Sequence, residues 1–478
     1  MKFTKKGRQI APLFFCDSVL LYGKEMVSEG QFSGRVIKDS AIVSMGAFAT
    51  KLIGFGSTVI VLYVLSLSEY GLYKLVFAAF GIFGTFLFSG LDQIILSDSA
   101  NDWREQNRGR IKKRFLEFLV MKMVLGIVLW SVVFLGSEVI EKYYGESISS
   151  LLKIISFLYL LNPLKGVLLF WFNLNMNFVF LSIASAMEEA MKLIFVVTGF
   201  FVFGMGVEGV ILSHVAASFF VVVFLFSFGG ASIISLIKEK AEKGFILLDT
   251  LKSHGKWGIL TNYNIDLQRN IHPWFIKYFI GTEAVAIVSI AESAVGHITS
   301  LFPMAKILMP VVPREIGDKE RIKRIFFRGI KYGTMSFAAM GMISFFAMPY
   351  LIEVALPKYI PSIPVFRVII ISVVFTAMAN ILTGFFYALK MQKEFFWASL
   401  VRFPAMVFLS VLLFPFVGIL GVGIEVVAVS AIFIGVRYYF IVKRIPGLSL
   451  DLNQLFKFDS YDKALLARSW SFFKSKVF

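Results

Sequence analysis

The chain has 478 residues, of which 58% are hydrophobic and 17% are charged, whereas soluble domains average roughly 45–50% and about 25%. Apolar residues recur along the whole length in runs of about 20, long enough to cross a ~30 Å hydrocarbon core. The composition therefore excludes a soluble globular protein and indicates a multi-span membrane protein. The net charge of +17 would suggest nucleic-acid binding in a soluble chain. Here it indicates basic cytoplasmic loops, and we expect no nucleic-acid partner.

The sequence gives no support for metal chemistry. Cys16 is the single cysteine, so a disulfide within one chain is excluded. The four histidines fall in no spacing typical of a zinc site. We therefore predict no metal and no cofactor, with proton or sodium coupling as the open alternatives.

Twelve apolar runs predict an all-α polytopic membrane protein. In chain order the predicted spans are 40–64, 71–96, 115–138, 153–173, 178–203, 207–228, 257–280, 283–308, 326–350, 363–389, 395–415 and 419–441. Lys and Arg concentrate in alternate loops, which predicts that both termini are cytoplasmic.

A polar segment near the middle divides the spans into two sets of six, typical of transporters built from repeated halves. The predicted organisation is a cytoplasmic N-terminal extension at 1–38, a six-helix bundle at 39–228, a cytoplasmic linker at 229–256, a second six-helix bundle at 257–441 and a basic cytoplasmic tail at 442–478. The start codon is open between Met1 and Met26.

The stretch "LSLSEYGLYKL", Leu65 to Leu75, interrupts the apolar chain between spans 1 and 2. We expect it to form the outer turn of the first hairpin. Gly71 would permit the tight reversal, and the tyrosines would suit the aromatic belt of a membrane interface.

Several predicted spans carry charges near mid-depth, where each costs ~2.5–3.5 kcal/mol unless it faces protein or water. Lys51 and Lys165 are central in spans 1 and 4. Span 5 places Glu188, Glu189 and Lys192 deep, with Glu188 and Lys192 at i and i+4, in position to pair.

Span 7 is the most polar. Asn262, Asp266, Arg269 and Pro273 recur at helical spacing on one face, with His272 beside them. We expect Pro273 to kink the helix. Span 8 carries a comparable stripe that includes Glu292. Both faces should look inward.

Buried cations suit an anionic substrate such as a phosphate or diphosphate. The predicted substrate-binding residues are Lys51, Lys165, Lys192, Arg269, His272 and Asn262, and the predicted ion-coupling residues are Glu188, Asp266 and Glu292. The alternative is that the pairs Asp266–Arg269 and Glu188–Lys192 only fix helix packing.

The first hairpin resembles that of the polysaccharide-exporter, or O-antigen flippase (Wzx-like), branch of the multidrug/oligosaccharidyl-lipid/polysaccharide (MOP) superfamily. In that family a helix that begins near a basic residue leads to a short outer turn of the form L-x-x-x-E/D-Y-G-x-Y, and the second helix ends in G-L/I-D or a similar motif. The matching residues are Lys51, Leu65, Glu69, Tyr70, Gly71, Tyr73, Gly90, Leu91 and Asp92.

The resemblance implies two six-helix bundles around a central cavity, with spans 1 and 7 facing it. It also implies a function: a flippase that moves an undecaprenyl-diphosphate-linked oligosaccharide across the bacterial cytoplasmic membrane. A polysaccharide polymerase and a chain-length regulator would be candidate partners beside the lipid bilayer. The alternatives are a multidrug or cation antiporter of the same superfamily, and a membrane polymerase or ligase. Since the sequence offers no nucleophile constellation, P-loop or nucleotide fingerprint, we expect no enzyme activity.

Overall fold

The structure is a computed structural model that describes residues 29–87, 91–144, 147–240, 242, 244–247, 256–299, 312, 319–445 and 447–448. Within these residues the fold contains helices and no strands. The helices are α1 Glu29–Val64, α2 Leu67–Gly84, α3 Leu91–Arg104, α4 Arg108–Tyr144, α5 Ser149–Ser156, α6 Leu158–Leu174, α7 Phe178–Phe201, α8 Val207–Lys238, α9 Lys256–Phe279, α10 Thr282–Thr299, α11 Lys319–Ala355, α12 Ser362–Ile369, α13 Ser372–Ala388, α14 Gln392–Val417 and α15 Ile419–Arg444. The predicted start site and most of the predicted tail lie outside the described residues.

The helices confirm an all-α, multi-span membrane protein. Among the described residues, eight helical segments are long and apolar enough to cross a membrane, and nine if the bent pair α12 and α13 forms one span. Three further helices, α7, α9 and α10, fall on predicted spans but do not pass this test. These three helices carry Glu188, Arg269 and Glu292. They fail the test because ionised side chains make any window that contains them less apolar.

The chain divides by its contacts into two units. Unit 1 comprises Met1–Val64 with Gly90–Ser253, and unit 2 comprises Leu65–Ser89 with His254–Phe478. Helix α2 therefore packs with unit 2, although its neighbours in sequence, α1 and α3, belong to unit 1. The predicted bundles at 39–228 and 257–441 remain a prediction.

In unit 1, α7 packs between α1 and α8, and α6 packs against α4 and α8. Helix α8 continues to Lys238, so the first ten residues of the predicted linker are helical. Gly229 and Gly230, the first two residues of the predicted linker, lie inside this helix. A Cβ on Gly229 would be 2.9 Å from the ring of Phe172 on α6, so the glycine permits close packing of α8 on α6.

In unit 2, α2 packs against α9 and α10, α9 packs against α14, and α15 packs against α13 and α14.

Two of the predicted spans each consist of two helices. In unit 1 the predicted span 153–173 is α5 followed by α6, and in unit 2 the span 363–389 is α12 followed by α13, bent by 43°. At both breaks the backbone forms i to i+3 hydrogen bonds, from the N–H of Phe157 and of Ile371, which tighten the chain locally.

The predicted outer turn is shorter than expected. Helix α2 already begins at Leu67, because Ser66 and Glu69 form a capping box that satisfies backbone N–H groups at the helix start. Gly71 therefore lies inside the helix, and the prediction that it forms the reversal is wrong. Its requirement is spatial: a Cβ there would lie 2.2 Å from the backbone carbonyl oxygen of Thr282, at the start of α10.

Candidate functional site: a charged cavity in unit 2

Unit 2 contains a cavity of about 570 Å3, lined by α2, α9 and α10. Helix α9 contributes Asp266, Arg269, Asn270 and Pro273, which recur at helical spacing and so share one face. Helix α10 contributes Ser289, Glu292 and Ser293, and helix α2 contributes Lys74 together with a stretch of small and aromatic residues. The predicted inward-facing stripes of spans 7 and 8 thus meet at one cavity.

The α9 wall carries an ion pair. Arg269 Nη2 donates to Asp266 Oδ1 at 2.6 Å, with the arginine side chain 72% exposed and the aspartate 22% exposed. Asn270 Nδ2 donates to the backbone carbonyl of Asp266 at 2.7 Å. Helix α9 runs without a break through Pro273. The guanidinium, which has five N–H groups, is therefore accessible from the cavity while one donor is engaged.

Helix α2 lines the cavity and packs closely against α9 at Gly81, which has no side chain. A Cβ there would lie 2.2 Å from Asn270 Oδ1, so any larger residue would require the Asn270 side chain to move. Seven residues earlier, the ammonium of Lys74 lies 5.2 Å from the ring centre of Tyr70 and 5.9 Å from that of Tyr73. Lys74 also interacts electrostatically with Glu292. The cavity thus presents two cations and two carboxylates.

His272 lies on α9 beside this cavity, between two carboxylates. Its Nε2 is 3.1 Å from Glu425 Oε2, and its Nδ1 is 3.6 Å from Glu292 Oε1. The Glu425 side chain, on α15, is 2% exposed, whereas the Glu292 side chain is 41% exposed and reaches the cavity. A histidine predicted to touch substrate is therefore buried, with its ring linking a cavity-lining acid to a buried one.

Unit 1 holds the other predicted charges. Lys165 Nζ donates to Glu188 Oε1 at 2.6 Å and to Ser218 Oγ at 3.3 Å. Lys192 pairs with Glu189, three residues before it. The predicted Glu188–Lys192 pair is therefore wrong, because Glu188 pairs with Lys165 on α6 and Lys192 pairs with Glu189. Lys51 is exposed on α1.

The sequence predictions and the structure differ at several residues. Asn262 was predicted to bind substrate, but it is not among the residues that line the cavity. Lys74 lines the cavity, although it was not among the predicted substrate-binding residues. Glu425 was missed, although an acid inside an apolar span is itself a signal. Arg437, also on α15, is 4% exposed and stacks on Phe433 and Phe395, at 3.9 and 4.4 Å from their ring centres. No group of His, Cys, Asp or Glu that could hold a metal ion is found among the residues that the structure describes.

Sequence comparison decides the family. The model of a family described as "Polysaccharide biosynthesis protein" matches residues 61–361, more than half of the chain. The chain belongs to this family. No curated protein matches the sequence.

Solved structures show which fold this family member has. An inward-facing multidrug resistance MATE family transporter of the MOP superfamily superposes with a TM-score of 0.72 at 14% identity, over 83% of this chain and 94% of that one. The lipid II flippase MurJ in an inward closed conformation gives 0.63 at 12% identity, over 84% and 87%. A MOP superfamily transporter from Pyrococcus furiosus gives 0.61 at 13%, over 87% and 96%. The predicted resemblance is confirmed to this extent: the chain belongs to a polysaccharide biosynthesis family and has the fold of solved MOP superfamily transporters.

Proposed function

We propose that the protein is a flippase that moves an undecaprenyl-diphosphate-linked oligosaccharide from the inner to the outer leaflet of the bacterial cytoplasmic membrane by alternating access. Membership of a polysaccharide biosynthesis family supports a glycan substrate. The fold is shared with MurJ, a lipid II flippase. Both termini would be cytoplasmic, and a polymerase and a chain-length regulator would be partners on the same pathway.

One observation carries the proposal: helix α9, which falls on a predicted span, holds a guanidinium that is 72% exposed at a cavity. Arginine binds phosphate through paired N–H groups. Lys74 adds an ammonium to the same cavity. A diphosphate carries more negative charge than the Asp266 carboxylate, so it can compete for Arg269 when it enters.

The unit 1 cations rank lower as substrate ligands in this state. Lys165 and Lys192 are paired with Glu188 and Glu189, and their side chains are 14% and 15% exposed. Lys51 is exposed and remains a candidate. We propose Arg269 and Lys74 as the first contacts of the diphosphate. Lys165 and Lys192 would bind an anion only if Glu188 and Glu189 released them.

The test is complementation of a bacterial strain that lacks its own flippase and its surface polysaccharide. The wild-type chain should restore the polysaccharide. Arg269→Ala should abolish it at normal protein level, with lipid-linked oligosaccharide accumulating on the cytoplasmic leaflet. Arg324→Ala is the matched control, since Arg324 is exposed on α11 and does not line the cavity. Full complementation by Arg269→Ala would refute the assignment of this cavity.

A multidrug or cation antiporter is the second candidate, and the two carboxylates at the cavity favour it, since Asp266 and Glu292 could hold a cationic drug. The same strains separate the two functions. Drug resistance on overexpression, lost in Asp266→Asn and without any change in surface glycan, would support the antiporter and exclude the flippase.

A further inference from the structure

The environment of His272 requires more protons than a neutral histidine supplies. A neutral imidazole has one N–H and one lone pair. Here a carboxylate oxygen faces each ring nitrogen, at 3.1 Å from Nε2 and 3.6 Å from Nδ1. A neutral ring between two ionised acids would turn its lone pair towards one of them. The arrangement is favourable only with an additional proton, on the ring or on one of the acids.

Because Glu425 is buried, water cannot stabilise its carboxylate in place of this proton. Glu425 is 2% exposed inside a span, where an ionised carboxylate is expensive without a partner. Its hydrogen bond is with His272, and Arg402 on α14 adds a nearby positive charge. The protonation of Glu425 is therefore linked to that of the ring.

We propose that Glu292, His272 and Glu425 form a proton-binding triad that is loaded from the cavity. Glu292 is the member that solvent can reach, at 41% exposure. A proton on the Glu292 carboxyl passes to His272 Nδ1 while Nε2–H passes its proton to Glu425. The step leaves an ionised Glu292, a neutral ring of the other tautomer and a neutral Glu425, so charge and protons balance.

The charged groups around the triad connect it to the cavity. Lys74 on α2 interacts electrostatically with Glu292, and Arg402 with both acids. Asp266 and Arg269 face the cavity from α9, and Arg437 on α15 interacts with Arg402. With both acids ionised, Lys74 and Arg402 balance them. Each proton bound makes this wall one charge more positive and so favours an anion at Arg269. This coupling step, unlike proton binding itself, rests on the proposed flippase function.

Proton binding is tested on the purified full-length protein, labelled with nitrogen-15 in histidine. The chain has four histidines, and the signals of His272 are assigned by their loss in His272→Gln. Glu425→Gln should move the pH at which His272 titrates by about one unit or more, a tenfold change in proton affinity. Glu292→Gln should also move it. The control Glu353→Gln, at an exposed position of α11, should not.

Two results would overturn the triad. One is a His272 titration that neither Glu425→Gln nor Glu292→Gln changes. The other is a His272 ring that keeps the same protonation state and the same tautomer over the whole pH range in the wild type. Because Glu292 is half-exposed, its substitution keeps the test available if Glu425→Gln fails to fold.

Complementation then separates the coupling from the function. If the wild type restores surface polysaccharide, Glu425→Gln should lose most of it and Glu353→Gln should retain it. Equal complementation by Glu425→Gln would overturn the coupling while the flippase stands. If the wild type does not complement, the proposed flippase function is refuted, whereas the magnetic resonance titration still tests the triad.

Discussion

Replacement of Gly71 by alanine should separate α2 from α10. An added Cβ would lie 2.2 Å from the Thr282 carbonyl oxygen, 2.9 Å from its Cγ2 and 3.0 Å from its carbonyl carbon. Ordinary contact begins at 3.4 Å, so the helices must part by about 1 Å. Two of the three atoms belong to the backbone, so no side-chain rotation relieves the contact.

The expected effect is a difference of two opposing terms. Alanine in a helix interior is about 1 kcal/mol more favourable than glycine, while overpacking of this kind costs about 1–3 kcal/mol and occasionally more. We expect a net loss of about 1–2 kcal/mol, because a backbone contact places the cost at the upper end. Since Lys74 lies one turn further along α2, the cavity should change with it and complementation should fall.

Thermal unfolding in detergent, followed by tryptophan fluorescence, measures the effect. Gly296→Ala is the matched control, because Gly296 lies on α10 with no atom within 4 Å of an added Cβ. Gly81→Ala should fall between the two, since its contact is the Asn270 side chain, which can rotate once its hydrogen bond breaks. A Gly71→Ala protein that melts together with Gly296→Ala would refute this account of the helix contact.

Two further substitutions test buried charges. Lys165→Met should destabilise unit 1 by up to about 3 kcal/mol, because Ser218 is then the one remaining partner of Glu188 among these groups. The double variant Lys165→Met with Glu188→Leu should recover most of that loss. If thermal unfolding shows that the double variant is no more stable than the single one, the ion pair does more than fix helix packing. Arg437→Lys should lower stability by about 2 kcal/mol, because lysine loses the stacking on Phe433 and Phe395 and the hydrogen bond geometry to Thr383; Arg324→Lys on the exposed face of α11 is the control, and equal melting of the two variants would contradict the stacking role.

The class of fold could be predicted from the sequence because lipid leaves the backbone few choices. Each span must satisfy its own N–H and C=O groups, so an apolar run of 20 residues becomes a helix. The ends of the helices were harder to predict. Gly229 is the first residue of the predicted linker, yet it lies inside α8, and Phe172 occupies the space that its missing side chain leaves. Hydropathy indicates where an apolar run ends, whereas the helix itself can continue beyond that point where neighbouring helices pack against it.

The partners of the charges could not be predicted from spacing alone. The i, i+4 pair Glu188–Lys192 is favourable in an isolated helix by only a few tenths of a kcal/mol. A lysine 23 residues away in sequence, Lys165, displaces it with a 2.6 Å hydrogen bond. Glu425 lies 153 residues from His272, so no local pattern connects the two.

Solvent access separates the charges of unit 2 by what they can do. Arg269 is 72% exposed, so water can hydrate it and a ligand can displace that water at little cost. Glu425 is 2% exposed, so its carboxylate depends on His272 and Arg402, and not on water, for a compensating charge. The proposed anion site at Arg269 and the proposed proton site at Glu425 therefore differ in hydration, although both consist of ionisable residues. Glu292, half-exposed at the cavity and 3.6 Å from His272, is the residue through which the two sites can exchange charge.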